Sequence, residues 1–159
     1  MRTIRLHQFV LFNALMWSLS GMASDWQLKD TAGARYTLSA LHDHWILVNF
    51  WAPWCPSCIE ELPALLAVQK RHPDLQVLGI AVMYRTKQSV MEMVKNQALT
   101  YPIVFGSEDT AGDFGGLEGL PTSFLYSPDG KLVGKHAGPL TQNDIEQTLA
   151  GKNTQLFTR

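Results

Sequence analysis

The sequence predicts one α/β domain, because apolar runs typical of buried strands alternate with segments that have the spacing of surface helices. The runs from Trp45 to Trp51 and from Leu75 to Val82 are typical of strands buried on both faces of a parallel sheet. A helical segment follows each run, from Ile59 to Arg71 and from Lys87 to Asn96. The centre of the fold is therefore predicted to be a βαβα unit.

A hairpin is predicted before this unit. Residues 26–29 and 35–38 have strand character and flank Asp30-Thr31-Ala32-Gly33, which has the composition of a turn. A hairpin at this place in the chain is expected to cap one edge of the sheet.

Shorter elements are predicted after the unit. Residues 101–105 favour a short extended segment, and the glycine-rich residues 106–119 favour a loop with one helical turn around residues 110–114. Two further strands, residues 122–126 and 131–136, are joined by Ser127-Pro128-Asp129-Gly130, a typical hairpin turn. The last element is a helix over residues 144–150, with Thr141 or Asn143 as its N-cap.

Length and charge limit the partners of this domain. The chain has 159 residues and a formal net charge of −1, so it has no basic surplus that would attract nucleic acid. Nothing in the sequence points to an obligate oligomer, and we expect a monomer.

The N-terminal residues have the pattern of a secretory signal peptide. Arg2, Arg5 and His7 precede an apolar stretch from Phe9 to Leu19, and small residues follow as far as Ala23. The apolar stretch is shorter than the roughly 20 residues of a membrane span, so an uncleaved anchor is the alternative. We expect a signal peptide over residues 1–23 and a folded domain over residues 24–159.

The two cysteines of the chain, Cys55 and Cys58, lie between the first predicted strand and the helix that follows it. Unpaired N–H groups and the helix dipole at a helix N-terminus stabilise negative charge, which favours a thiolate at Cys55. Cys58, one turn later, is placed to close a disulfide. Such a short ring stabilises a fold very little, so the pair is interpreted as a redox site and not as a structural crosslink.

Two motifs carry a resemblance to a known family. Residues 48–63, with the sequence VNFWAPWCPSCIEELP, and residues 119–124, with the sequence GLPTSF, resemble the exported TlpA/ResA-type thiol-disulfide oxidoreductases of the thioredoxin-like superfamily. The resemblance covers residues 25–150. It implies a thioredoxin-like fold, with a central mixed sheet flanked by helices, to which the N-terminal β-hairpin is an extension. It also implies a periplasmic protein, soluble after cleavage or tethered to the inner membrane.

The resemblance assigns a proton-transfer role to Glu61. Thioredoxins typically carry a buried aspartate at the position of Asn49, and an amide cannot titrate. Glu61 lies three residues after Cys58, on the same helix face, and a partly buried carboxylate there could accept the proton of that thiol. The alternative is that Glu61 is a solvated residue like Glu60.

The resemblance also implies a substrate-binding surface. It identifies Pro121 as the cis-proline that packs beside the disulfide in this fold. The backbone of Leu120 could then pair with an extended substrate segment. We expect Trp54 and Pro56, which flank Cys55, to complete this surface.

The expected reaction is reduction of protein disulfides through a mixed disulfide, with the cysteine pair as the redox group and without a bound cofactor. The resemblance implies reduction of the pair by a membrane electron donor of the DsbD/CcdA kind. Expected substrates are apocytochrome c, during cytochrome c maturation, or other thiols that must stay reduced.

Two alternative functions remain at this stage, a disulfide oxidase of the same fold and a copper- or thiol-binding module without turnover. The histidines show no ligand spacing relative to the cysteines, so no metal site is predicted. A peroxiredoxin normally has a threonine three residues before its reactive cysteine, where this chain has Ala52. Peroxidase activity is therefore not predicted.

Overall fold

The computed structural model describes residues 25–153 and 155–158. The predicted signal peptide and its cleavage position after Ala23 lie outside these residues. Within the described ranges, no helix combines the length and the apolar character that crossing a bilayer requires. In chain order the elements are β1 (Gln27–Lys29), β2 (Arg35–Thr37), β3 (Trp45–Trp51), α1 (Pro56–Arg71), β4 (Leu75–Ala81), α2 (Lys87–Asn96), β5 (Ile103–Phe105), α3 (Glu108–Asp113), β6 (Thr122–Tyr126), β7 (Leu132–Ala137) and α4 (Gln142–Leu149).

The central sheet is mixed, with strand order β5-β4-β3-β6-β7. β3 and β5 both run parallel to β4, whereas β6 is antiparallel to β3 and to β7. The predicted βαβα unit and the late hairpin are therefore confirmed. β3 is the middle strand, so the segment that follows it begins in the middle of the sheet, where β3 ends.

The N-terminal hairpin covers the outer side of β5. β1 and β2 pair antiparallel, with Gln27 opposite Thr37. Asp30, in the turn, forms a bridge with Val104, and the backbone N–H of Thr31 donates to the carbonyl of Ile103 at 2.7 Å. The hairpin thus pairs with backbone groups that an edge strand would otherwise expose, as predicted.

Two apolar layers cover the two faces of the sheet. Alternate side chains of β3 enter opposite layers: Leu47 and Trp51 pack on the side of α1, and Val48 and Phe50 pack on the other side with Phe114. All four of these β3 residues are fully buried. Burial on both faces explains why the strand was predicted from a run of apolar residues and not from an alternating pattern.

Three helices begin earlier than predicted. α1 begins at Pro56 and not at Ile59, because a proline in the first helical position lacks an N–H that would be unpaired there anyway. α3 begins after Ser107, whose side chain forms a capping box with Thr110, and it replaces the predicted single turn. α4 begins after Thr141, which is the N-cap, so of the two predicted candidates Thr141 is confirmed and Asn143 is not.

Candidate active site

Cys55 and Cys58 lie at the start of α1 and form a disulfide. Cys55 is the N-cap residue, and its Sγ accepts a hydrogen bond from the backbone N–H of Cys58 at 3.3 Å. Both cysteines are buried. The predicted placement of Cys55 at a helix N-terminus is confirmed. In the reduced state the same N–H group and the helix dipole would favour a thiolate at Cys55.

Glu61 is buried beneath the cysteine pair on the next turn of α1. Its side chain is 2% exposed, whereas Glu60 is exposed to solvent. Asn49 Nδ2 donates to Glu61 Oε1 at 2.7 Å, and the backbone N–H of Leu140 donates to Glu61 Oε2 at 2.8 Å. The alternative in which Glu61 is a solvated helix residue is therefore wrong.

The position of Asn49 explains how this carboxyl group is held. Asn49 lies on the middle strand, is fully buried, and also donates from Nδ2 to Ser123 Oγ at 3.0 Å. The inability of Asn49 to titrate was predicted from the sequence, but its role as a hydrogen-bond donor to Glu61 was not. Leu140 was missed entirely, because its contribution is a backbone N–H group brought to the site by the loop before α4.

Burial raises the pKa of Glu61 to about 7, although the hydrogen bonds from Leu140 and Asn49 favour the charged form. The cost of removing a carboxylate from water thus exceeds the gain from its two donors. A group with a pKa near neutrality can both accept and release a proton under physiological conditions. This property suits the proton-transfer role predicted for Glu61.

The rings of Tyr101 and Trp51 pack closely against Gly79 of β4. A methyl group added at Gly79 would lie 2.9 Å from Tyr101 Cε2 and 3.3 Å from Trp51 Nε1. Only a glycine therefore leaves space for both rings. Burial and the charge of Glu61 raise the pKa of Tyr101, so its hydroxyl stays neutral at physiological pH.

Of the four predicted substrate-binding residues, Trp54 and Leu120 border the reactive cysteine. The Leu120–Pro121 peptide bond is cis, as predicted. Leu120 and Trp54 line a surface cavity of about 360 Å³ together with Cys55. Trp54 is 59% exposed, and Pro56 is exposed in the first helical position. Leu120, Trp54 and Cys55 are thus brought together, while Pro56 and the buried Pro121 lie outside the lining of this cavity.

The histidines of the described residues have other contacts. His136 Nδ1 lies 3.1 Å from the carbonyl oxygen of Leu156, and His72 Nε2 lies 3.6 Å from Glu146 Oε1. No group of three or more histidine, cysteine, aspartate or glutamate residues in the described ranges is arranged to hold a metal ion.

Comparison with known proteins identifies the family. The model of the AhpC/TSA family matches residues 20–135. The chain belongs to this family. The thiol-disulfide oxidoreductase ResA of Bacillus subtilis is 32% identical over 80% of this chain and 72% of its own length. The protein is accordingly a thioredoxin-like thiol-disulfide oxidoreductase of the ResA type.

Two solved structures similar to this oxidoreductase support the same conclusion. A thiol:disulfide interchange protein of the thioredoxin family from Chlorobium tepidum has a TM-score of 0.72 and 27% identity, over 80% of this chain and 92% of its own. The exposed lipoprotein thioredoxin Etrx1 of Streptococcus pneumoniae has a TM-score of 0.68 and 26% identity, over 80% of this chain and 99% of its own. Thioredoxin-like architecture and redox function, both predicted from the sequence, are confirmed.

Proposed function

We propose that this oxidoreductase reduces disulfides of exported proteins, with Cys55 as the nucleophile, Cys58 as the resolving thiol and Glu61 as the proton acceptor. The observation that carries the proposal is the arrangement of charge on α1. A helix N-terminus favours negative charge at Cys55, while a buried carboxyl group with a pKa of about 7 lies one turn beyond Cys58.

The reaction begins with the thiolate of reduced Cys55. It attacks one sulfur of the substrate disulfide, and the other substrate sulfur leaves as a thiolate, which gives a mixed disulfide. Cys58 transfers its proton to Glu61 and attacks Cys55 Sγ, and the second substrate sulfur leaves. The substrate gains two electrons, and the pair becomes the Cys55–Cys58 disulfide seen in the structure. The cysteine pair is itself the redox group, so the cycle uses no bound cofactor.

We propose that the reaction takes place in the periplasm. The signal-peptide pattern of residues 1–23 supports export, and the similar protein of Streptococcus pneumoniae is an exposed lipoprotein. In an oxidising compartment the pair must be reduced again by another dithiol. We assign this role to a membrane donor of the DsbD/CcdA kind, and we propose apocytochrome c or other exported protein thiols as substrates.

Trapping of the mixed disulfide tests this function. Cys58→Ser is expected to accumulate a covalent adduct with a disulfide substrate such as insulin, because the resolving thiol is missing. Cys55→Ser is expected to form no adduct and to reduce no insulin. Adducts formed equally by both variants would contradict the assigned roles. Stoichiometric Cu(I) binding without insulin reduction by the unaltered protein would favour a metal-binding module.

A further inference from the structure

Met83 stands out because it is an exposed apolar residue beside the reactive cysteine. Trp54, Met83 and Met91 are the exposed large hydrophobic residues of the described chain, at 59%, 61% and 41%. Two of them lie together, since the indole N–H of Trp54 donates to the carbonyl oxygen of Met83 at 2.7 Å. Both line the cavity that Cys55 borders.

The folded backbone gives no reason for a methionine at this position. Met83 has a φ of +51°, in the left-handed region, which costs a residue other than glycine about 1 kcal/mol. Its contact with Trp54 uses the backbone carbonyl, which every residue has. Its side chain is mostly in solvent and adds little to the core. Glycine would fit the backbone better, so the side chain points to a role outside folding.

The cavity beside Cys55 has an apolar wall. Met83 and Leu117 form it together with Trp54 and Leu120, and the charged residue of the lining, Glu118, is paired with Lys135. The volume of about 360 Å³ is many times that of a water molecule, which occupies about 30 Å³ in the liquid.

The groove continues away from Cys55. Met83 and Leu117 also border a second cavity of about 470 Å³, which reaches Gly112 and Gly116 in the segment after β5. Cavities therefore lie on both sides of Met83, and its side chain separates them together with Leu117.

We infer that Met83 is a specificity-determining residue, whose side chain binds an apolar side chain next to the reactive cysteine of the protein substrate. The inference rests on the attack by Cys55 proposed above. A substrate sulfur must reach Cys55 Sγ, and Cys55 itself lines the cavity, so the residues that flank the substrate sulfur must enter the same cavity. Burial of apolar surface against Met83 then favours substrates with an apolar flanking residue.

The test compares two synthetic peptides, each with one cysteine joined to glutathione. They differ only in the residues flanking the cysteine, which are leucine in one and serine in the other. Reduced protein is mixed with each peptide, and the rate of mixed-disulfide exchange is followed by tryptophan fluorescence. Oxidised glutathione alone, in which glutamate and glycine flank each cysteine, serves as a probe without an apolar flanking side chain.

The unaltered protein is expected to react about tenfold faster with the leucine peptide than with the serine peptide. Met83→Ala and Met83→Gly are expected to lower this ratio about fivefold, and dividing each peptide rate by the rate of the same variant with oxidised glutathione removes any general change in reactivity. Met91→Ala is the matched control, because Met91 is an exposed methionine on α2 outside both cavities, and it should keep the full ratio. Met83→Gly should be at least as stable as the unaltered protein, since it relieves the left-handed backbone.

Two results would overturn the inference. An unchanged ratio in both Met83 variants, or no preference in the unaltered protein, would show that Met83 does not select substrates, while the reaction itself stands. Failure of the unaltered protein to react with any of the three disulfides would instead contradict the proposed role of Cys55 and remove the basis of the inference.

Discussion

Replacement of Glu61 by glutamine is expected to change the pH dependence of folding stability. The carboxyl group has a pKa of about 7 in the folded protein against a usual value of 4.5, mainly because of burial. The folded state therefore holds the proton more tightly than the unfolded state. The resulting stabilisation is fully present below about pH 4.5 and is lost as the pH rises through about 7. The pKa difference corresponds to about 3 kcal/mol of unfolding free energy.

Urea unfolding of the oxidised proteins between about pH 4 and about pH 8 measures this effect. The unfolding free energy of Glu61→Gln, minus that of the unaltered protein, is expected to increase by about 3 kcal/mol over this range. The loss of a hydrogen bond in the variant adds a constant offset and does not change the slope. Glu60→Gln is the control, because Glu60 is exposed on the same turn, and it should follow the unaltered protein. Equal pH dependence of Glu61→Gln and the unaltered protein would refute the reasoning.

Three further predictions follow from the same site. Asn49→Ala is expected to lower the unfolding free energy by about 2 kcal/mol and to raise the pKa of Glu61 further, because a buried carboxyl loses a donor; pH-dependent urea unfolding measures both. Gly79→Ala is expected to lower the unfolding free energy by about 1–3 kcal/mol, and with it the melting temperature, because the added methyl group would lie 2.9 Å from Tyr101. Gly112→Ala is the control, because open space surrounds Gly112, and it should not lower the melting temperature. The reduced protein should not consume hydrogen peroxide at a rate above that of ordinary thiols, and rapid turnover would contradict the prediction drawn from the alanine three residues before the nucleophile.

Elements with local sequence signals could be predicted well. α2 has the predicted bounds, Lys87–Asn96, because its apolar spacing and its boundaries are properties of one short segment. The strand pair at the centre of the sheet was predicted because burial on both faces leaves a run of apolar residues. The start of α1 at Pro56 was missed, although a proline in the first helical position is itself a signal in the sequence.

Contacts between distant segments could not be predicted. The N–H group of Leu140 that holds Glu61 comes from a residue 79 positions away, and a backbone donor leaves no mark on residue identity. The left-handed backbone of Met83 is likewise invisible, since methionine is not a residue that usually signals such a conformation. The resemblance to a known family supplied the prediction of a proton-transfer role for Glu61, but not the two donors that hold its carboxyl group.

The equilibrium reduction potential of the Cys55–Cys58 pair, titrated against a thiol redox buffer, tests the central claim most directly. A reductase needs an oxidised form that is stable relative to its dithiol, so we expect a reduction potential near that of thioredoxin, about −270 mV. A value near that of DsbA, about −120 mV, would contradict the proposed direction and make the protein a disulfide oxidase.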